Sequence, residues 1–273
     1  MTALMQNLNE TVAYIRSRYS KEVHVGIILG SGLGNLTSDI KLEIEIPYHE
    51  IPHFPVSTVK GHNGSLIIGN IKGKTVLVMA GRFHFYEGYT TSQVTYPIRV
   101  MRLLGVTTLL LTNAAGGVQE NMEVGDLMLI KDHISLFTIN PLIGPNEEAL
   151  GTRFPDMSEP YSKDLITKAE AIAKANDIEL KIGVYFGVTG PTFETRAEYK
   201  LIHILGGDAV GMSTVQETIV AKHCGMQVFA ISVITDIGIR EDENTITHEE
   251  VLEAAKAAEP KLTLLFSRLI ESL

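Results

Sequence analysis

Seven short apolar runs, separated by amphipathic stretches, constrain this chain more than any other feature. They are residues 23–29 (VHVGIIL), 65–68 (SLII), 75–80 (TVLVMA), 107–112 (TTLLLT), 127–130 (LMLI), 182–186 (IGVYF) and 228–235 (VFAISVIT). Each has strand length, and several are apolar almost throughout, as strands covered on both faces are. Between them the spacing predicts helices at the N-terminus, at 92–104, 163–176, 196–205, 215–223, and from 247 to the end. In the first, Leu4, Leu8, Val12 and Ile15 recur near helical spacing. The last opens on Thr247 with Glu250 three residues on, a capping-box pattern, and Pro260 predicts a kink or restart inside it. No Ser/Gly-rich linker divides the chain and no repeat is visible. The pattern predicts a single α/β domain over 1–273, with a central mixed β-sheet flanked by helices. Residues 132–159, rich in Pro, Gly and Asn, form a long excursion of the kind compact domains keep for function or assembly.

At 273 residues the chain can bury a large core. Its net charge of −9 and the lack of a basic run argue against nucleic acid and anionic membrane as main partners. They do not argue against an anionic small molecule, because local donors decide that. The one cysteine, Cys224, rules out an intramolecular disulfide and, with no matching His/Asn motif, reads as a buried structural thiol. The N-terminus lacks the basic start and apolar core of a secretory signal. No apolar run approaches the length of a membrane span. A cytoplasmic enzyme is the expectation.

Seven stretches can carry chemistry beside these runs. Residues 81–89 (GRFHFYEGY) put Arg82, His84, Tyr86 and Glu87 directly after an apolar run. The Arg82 fork suits phosphate or carboxylate, and the aromatics can wall a pocket for a flat ligand. A surface loop with an Arg82–Glu87 ion pair is the plainer reading. Residues 29–35 (LGSGLGN) can turn backbone N–H groups and Ser31 toward an anion. They match neither G-x-G-x-x-G, nor a Walker loop, nor G-x-S-x-G, and a tight strand-to-helix turn fits them equally. An NAD-dependent dehydrogenase is excluded by the incomplete glycine fingerprint. Residues 60–64 (KGHNG) hold His62; a lone histidine is more often structural. Residues 112–118 (TNAAGGV) let a ligand approach the backbone, or form a turn with glycines at positive φ. Residues 189–195 (TGPTFET) offer Phe193 for stacking and Glu194 as an acceptor. Residues 208–215 (DAVGMSTV) offer Met212 and Ser213, and residues 232–238 (SVITDIG) place Thr235 and Asp236 after a strand, where Asp is a common turn residue. Together they supply donors for an anion (Ser31, His62, Arg82, His84, Ser213), ring walls (Tyr86, Phe193, Met212) and acceptors (Glu194, Asp236). Anion plus planar heterocycle means a nucleotide, or phosphate plus a nucleoside. The nine histidines show no metal-binding spacing, so no metal is expected.

These segments resemble the trimeric-type purine nucleoside phosphorylases. That family's GSGLG, GRFHxYEGY, TNAAGG, GPxFET and DAVGMSTV occur here in family order, and the likeness runs from about Gly26 to Val251. The resemblance implies a phosphorylase fold, a homotrimer, and phosphorolysis of purine nucleosides, with phosphate as co-substrate and no metal or organic cofactor. It implies a phosphate site of Ser31, His62, Arg82, His84, the Ala114 N–H and Ser213. Tyr86 and Met212 would meet the ribose, with His248 reaching its 5′-hydroxyl. Phe193, Glu194, Val210, Thr235 and Asp236 would meet the base. His84, Glu194 and Asp236 are the expected catalytic residues, and Glu87 is expected to orient a histidine such as His84.

Two positions depart from the family pattern. The usual asparagine of the base site is Asp236 here. Ionised aspartate only accepts, so it repels O6 of a 6-oxopurine and welcomes the 6-amino group of adenine. Either Asp236 is protonated in the closed site, which low polarity favours, or the enzyme accepts 6-aminopurines to an unusual degree. The expectation is broadened specificity, with inosine and guanosine retained through Glu194 and adenosine gained through Asp236. The related methylthioadenosine phosphorylases carry aspartate at this place, but they lack GRFHxYEGY and GPxFET, and His248 is wasted on a 5′-methylthio group. A non-catalytic nucleoside-binding protein would explain a pocket, but not an anion site with His84 beside the ribose. The second departure is Leu150, where the family often lends an aromatic to a neighbouring subunit; leucine keeps an apolar wall and loses stacking.

Overall fold

The apolar runs become the centre of one nine-stranded mixed sheet. The computed structural model describes residues 2–31, 33–56, 64–239 and 246–273, less the side chains of residues 35, 36 and 38. The strands are β1 (Val25–Ile28), β2 (Lys41–Pro47), β3 (Ser65–Ile71), β4 (Lys74–Ala80), β5 (Thr108–Gly117), β6 (Leu127–Ile134), β7 (Leu180–Gly187), β8 (Ala209–Gly211) and β9 (Gln227–Ile237). The helices are α1 (Ala3–Arg18), α2 (Thr91–Val94), α3 (Tyr96–Leu103), α4 (Lys163–Ala175), α5 (Arg196–Ile204), α6 (Val215–His223) and α7 (His248–Glu271).

Strand order is β2-β3-β4-β1-β5-β8-β7-β6-β9, and β5 pairs with β9 as well, closing the second half into a ring of five strands. β4, β1, β5 and β9 run parallel, so their carboxyl ends meet at one edge. Burial on both faces explains their apolar sequences: β1, the second half of β4 and most of β5 and β9 are buried. β2 and β8 escape the apolar-run signal. β2 is a charged edge strand paired on one side to β3, and β8 has three residues.

Two helix expectations change in detail. Leu8 and Ile15 of α1 are buried and Leu4 and Val12 pack beside them, as the spacing implied. The helix expected at 92–104 is two, α2 and α3, split at Thr95. Pro97 has no N–H to continue α2 and instead sits in the first turn of α3. Pro260 neither ends nor restarts α7, which runs through it as one helix. The buried face of Ala255, Ala258, Leu262, Leu265 and Phe266 holds both halves on the core, outweighing one lost backbone donor. The Thr247–Glu250 capping box forms as expected, and Cys224 is buried.

Candidate active site

The carboxyl edge of the parallel strands is where open α/β sheets bind ligands, and six of the singled-out segments converge there. Gly81, at φ 116°, turns the chain out of β4. Arg82 follows, only 1% exposed. Its Nε and Nη2 donate to Glu217 Oε1 and Oε2 at 3.1 and 2.7 Å, and its Nη1 donates to the Thr112 carbonyl at 2.5 Å. The pair is a bidentate fork between β4's end and α6, 135 residues apart in sequence. The Arg82–Glu87 ion pair of the plainer reading is therefore replaced: Glu217 takes Arg82, and Glu87 takes His84. Glu87 Oε1 accepts the His84 backbone N–H at 2.7 Å and meets its Nδ1 at 3.1 Å. Burial pushes the His84 pKa below the ordinary imidazole value; Glu87 opposes that and Arg82 reinforces it. Near neutral pH the ring is uncharged. Tyr86 stacks on it, with centroids 4.6 Å apart.

Ser31 follows β1, Ala114 lies on β5, and Ser213 precedes α6; all three line the same cavity as Arg82 and His84. Thr214 holds φ 69°, a conformation costly to a β-branched residue, at roughly 1–3 kcal/mol. Asn113 Nδ2 steadies it by donating to Thr214 Oγ1 at 2.9 Å. His62 lies outside the described residues.

The other end of the cavity comes from strand ends that outrun their apolar sequences. TNAAGGV is not a turn: all of it but Val118 forms the second half of β5, and Thr235–Asp236 lie within β9 rather than after it. The register between them shifts at Ala115/Gly116, leaving Thr235 as an extra residue on β9. In a regular strand neighbours point to opposite faces. The bulge lets Thr235 and Asp236 both line the cavity. Phe193 and Glu194 enter from the loop before α5, which the Thr195–Glu198 capping box anchors. Val210, Met212 and His248 complete the walls. Burial raises the pKa of both Glu194 and Asp236 above ordinary carboxyl values.

The cavity measures about 390 Å³. Every expected site residue except His62 lines it. Sequence reasoning singled out the stretch of Asn113 without giving that residue a role, and missed Glu217 and Tyr199. Tyr199, on α5, donates to Asp236 Oδ2 at 3.0 Å. Glu217 and Tyr199 carry no local signal; each matters through a partner far along the chain. Leu150 is 6% exposed and packs in this chain's own core, so its side chain is not presented outward.

Comparisons with known proteins agree with this geometry. The family model described as the phosphorylase superfamily matches residues 24–271. A purine nucleoside phosphorylase 1 of Geobacillus stearothermophilus is 52% identical over 251 residues, covering 91% of each chain. The purine nucleoside phosphorylase of Rattus norvegicus is 49% identical, covering 98% of this chain and 95% of that one. Structures of the Schistosoma mansoni enzyme with adenosine and with inosine superpose with TM-scores of 0.94, at 43% and 42% identity, over 100% of this chain and 99% and 98% of theirs. The chain belongs to the phosphorylase superfamily, among its purine nucleoside phosphorylases.

Proposed function

We propose that this phosphorylase cleaves inosine, guanosine and adenosine, transferring the pentose from the purine to inorganic phosphate. One observation carries the reading: a single cavity joins a buried cationic and hydroxyl end to a flat end closed by two carboxyl groups. Phosphate sits among Ser31, Arg82, His84, Ser213 and the Ala114 N–H, with His62 expected to join them. Arg82 keeps its direction because Glu217 clamps it. The nucleoside lies with its ribose over Tyr86 and Met212, its 5′-hydroxyl at His248 and its base between Phe193 and Val210.

Phosphate oxygen then forms a bond to C1′ as the bond from C1′ to the base nitrogen breaks. Positive charge grows on the sugar, where the bound phosphate stabilises it, and negative charge grows on the departing purine. Neutral His84 shares a proton with the phosphate, and the carboxyl end meets the purine's polar edge. Side chains and phosphate handle all of this charge, so the proposed reaction uses no metal or organic cofactor. A homotrimer in the cytoplasm is the expected setting; no described helix is long and apolar enough to cross a membrane.

The test is release of free base from inosine, guanosine, adenosine and xanthosine, each with and without phosphate. Phosphate-dependent release from the first three is expected. Binding without release would leave only a nucleoside-binding protein.

A further inference from the structure

One phenol links the two carboxyl groups that close the base end. Tyr199 is 3% exposed, and its hydroxyl donates to Asp236 Oδ2 at 3.0 Å. The same hydroxyl stabilises the Glu194 carboxylate. Thr235 Oγ1 donates to the other Asp236 oxygen at 3.2 Å. A hydroxyl owns one proton and donates it to one acceptor at a time. Asp236 is buried and Glu194 partly so, both line one cavity, and the Asp236 charge raises the Glu194 pKa in addition to burial. Glu198 on α5 adds a further negative charge near Glu194, and His248 lines the cavity from α7. β5 and β8 contribute only uncharged residues to this end, Gly116 and Val210 among them.

We propose that Glu194, Tyr199 and Asp236 share one exchangeable proton, which the Tyr199 hydroxyl passes between the two carboxyl groups to match the purine. The inference rests on the functional reading above. A 6-oxopurine offers an N1–H donor and the acceptors O6 and N7. It fits Glu194 ionised and Asp236 protonated. A 6-aminopurine offers N1 as an acceptor and its amine as a donor. It fits Glu194 protonated and Asp236 ionised. The two fits differ by the place of one proton and by nothing in total charge. In the exchange, the Asp236 O–H proton moves to the phenol oxygen while the phenol proton moves to Glu194. Two O–H bonds break, two form, and the phenol is restored. Strongly coupled groups titrate as a pair, so both substrates report the same two apparent pKa values.

The experiment is kcat/KM against pH for inosine and adenosine, after allowance for ionisation of the purine itself. In the wild-type enzyme both profiles are expected to be bells with coincident limbs. On the acid side both carboxyls carry protons and each substrate loses an acceptor. On the alkaline side both are ionised and each loses a donor. Tyr199→Phe keeps the ring and removes the relay. Both bells are expected to narrow from each side by about one pH unit, a tenfold loss at the former limbs. Asp236→Asn leaves Glu194 to titrate alone, and the profiles separate: inosine gains with rising pH and adenosine declines. Non-coincident limbs in the wild type overturn the proposal. So does a uniform loss in Tyr199→Phe with neither limb moved, or failure of the Asp236→Asn profiles to separate. Cleavage of inosine with none of adenosine overturns it too, while leaving the phosphorylase reading intact. Loss of phosphate-dependent cleavage of both would sink that reading itself.

Discussion

Asp236 concentrates the chemistry that distinguishes this chain at the scale of a single residue. Asparagine there can both donate and accept, whereas ionised aspartate only accepts. Asp236→Asn is therefore expected to raise the ratio of kcat/KM for inosine to that for adenosine; a flat ratio would remove aspartate from any part in base choice. The same change has a signature in stability. The folded-state pKa of Asp236 is raised by burial. Its favourable contribution is full below the unfolded carboxyl value and is lost as pH rises through the raised one. Asp236→Asn should accordingly melt higher than the wild type at pH 7, and the gain should fade as pH falls toward the ordinary carboxyl range. Arg82 obeys another rule. Its partner Glu217 is buried with it, and removing one member of a buried pair leaves an uncompensated charge. Glu217→Ala should cost about 3–5 kcal/mol, read from the urea midpoint, and should raise KM for phosphate by releasing the guanidinium. That Ser31, Arg82, His84, Ala114 and Ser213 share one end of a cavity was legible because glycine-flanked polar clusters after apolar runs are unusual. Glu217 and Tyr199 were not, because a buried partner 135 or 37 residues away leaves no local trace.

At the scale of elements, β5 is the hub. It pairs with β1, β8 and β9 and reaches the cavity through Asn113–Gly116. Its apolar half, TTLLLT, was readable as a buried strand. Its second half was not, because small residues facing a cavity make neither an apolar run nor an alternation. The end of β9 hid for a related reason: a bulge at Thr235 breaks the period of two on which strand reading depends. Close approach at the hub also sets what its neighbours tolerate. A Cβ on Gly30 would lie 2.8 Å from both Asn113 Cα and the Thr112 carbonyl oxygen. Those are backbone atoms and cannot swing aside. Gly30→Ala should force the end of β1 away from β5, costing roughly 1–3 kcal/mol. It should also shift Ser31 relative to Ala114, so KM for phosphate should rise as the denaturant midpoint falls. A stable variant with unchanged kinetics would show that the two strand ends are not held in register by this contact.

At the scale of the whole molecule, the long segment between β6 and α4 divides into a tethered part and an open part. Asn146 Oδ1 meets His223 Nε2 at 3.0 Å, Asn146 Nδ2 donates to the Gly151 carbonyl, and Leu150 fills the core. Beside these anchors the segment presents Leu136, Phe137, Ile139, Ile143 and Phe154 to solvent, the last two 75% and 87% exposed. The sequence marked this stretch as an excursion kept for function or assembly, but not which side chains turn inward. That depends on His223 of α6, a partner remote in sequence. A chain that holds five large apolar side chains outward on one segment has a surface suited to association. In the proposed homotrimer this segment is the natural seam, and it lies near the base end, since Phe137, which packs on Phe186 with centroids 5.7 Å apart, lines a second pocket with Phe193 and Glu194. Ile143→Glu combined with Phe154→Glu places charges where an interface core excludes them. Both side chains are exposed in the single chain, so its fold should survive, with helix content and the urea transition of the isolated chain intact. Sedimentation should then report one chain mass for the variant against three for the wild type. Assembly at the wild-type mass despite both charges would move the seam to another face of the molecule.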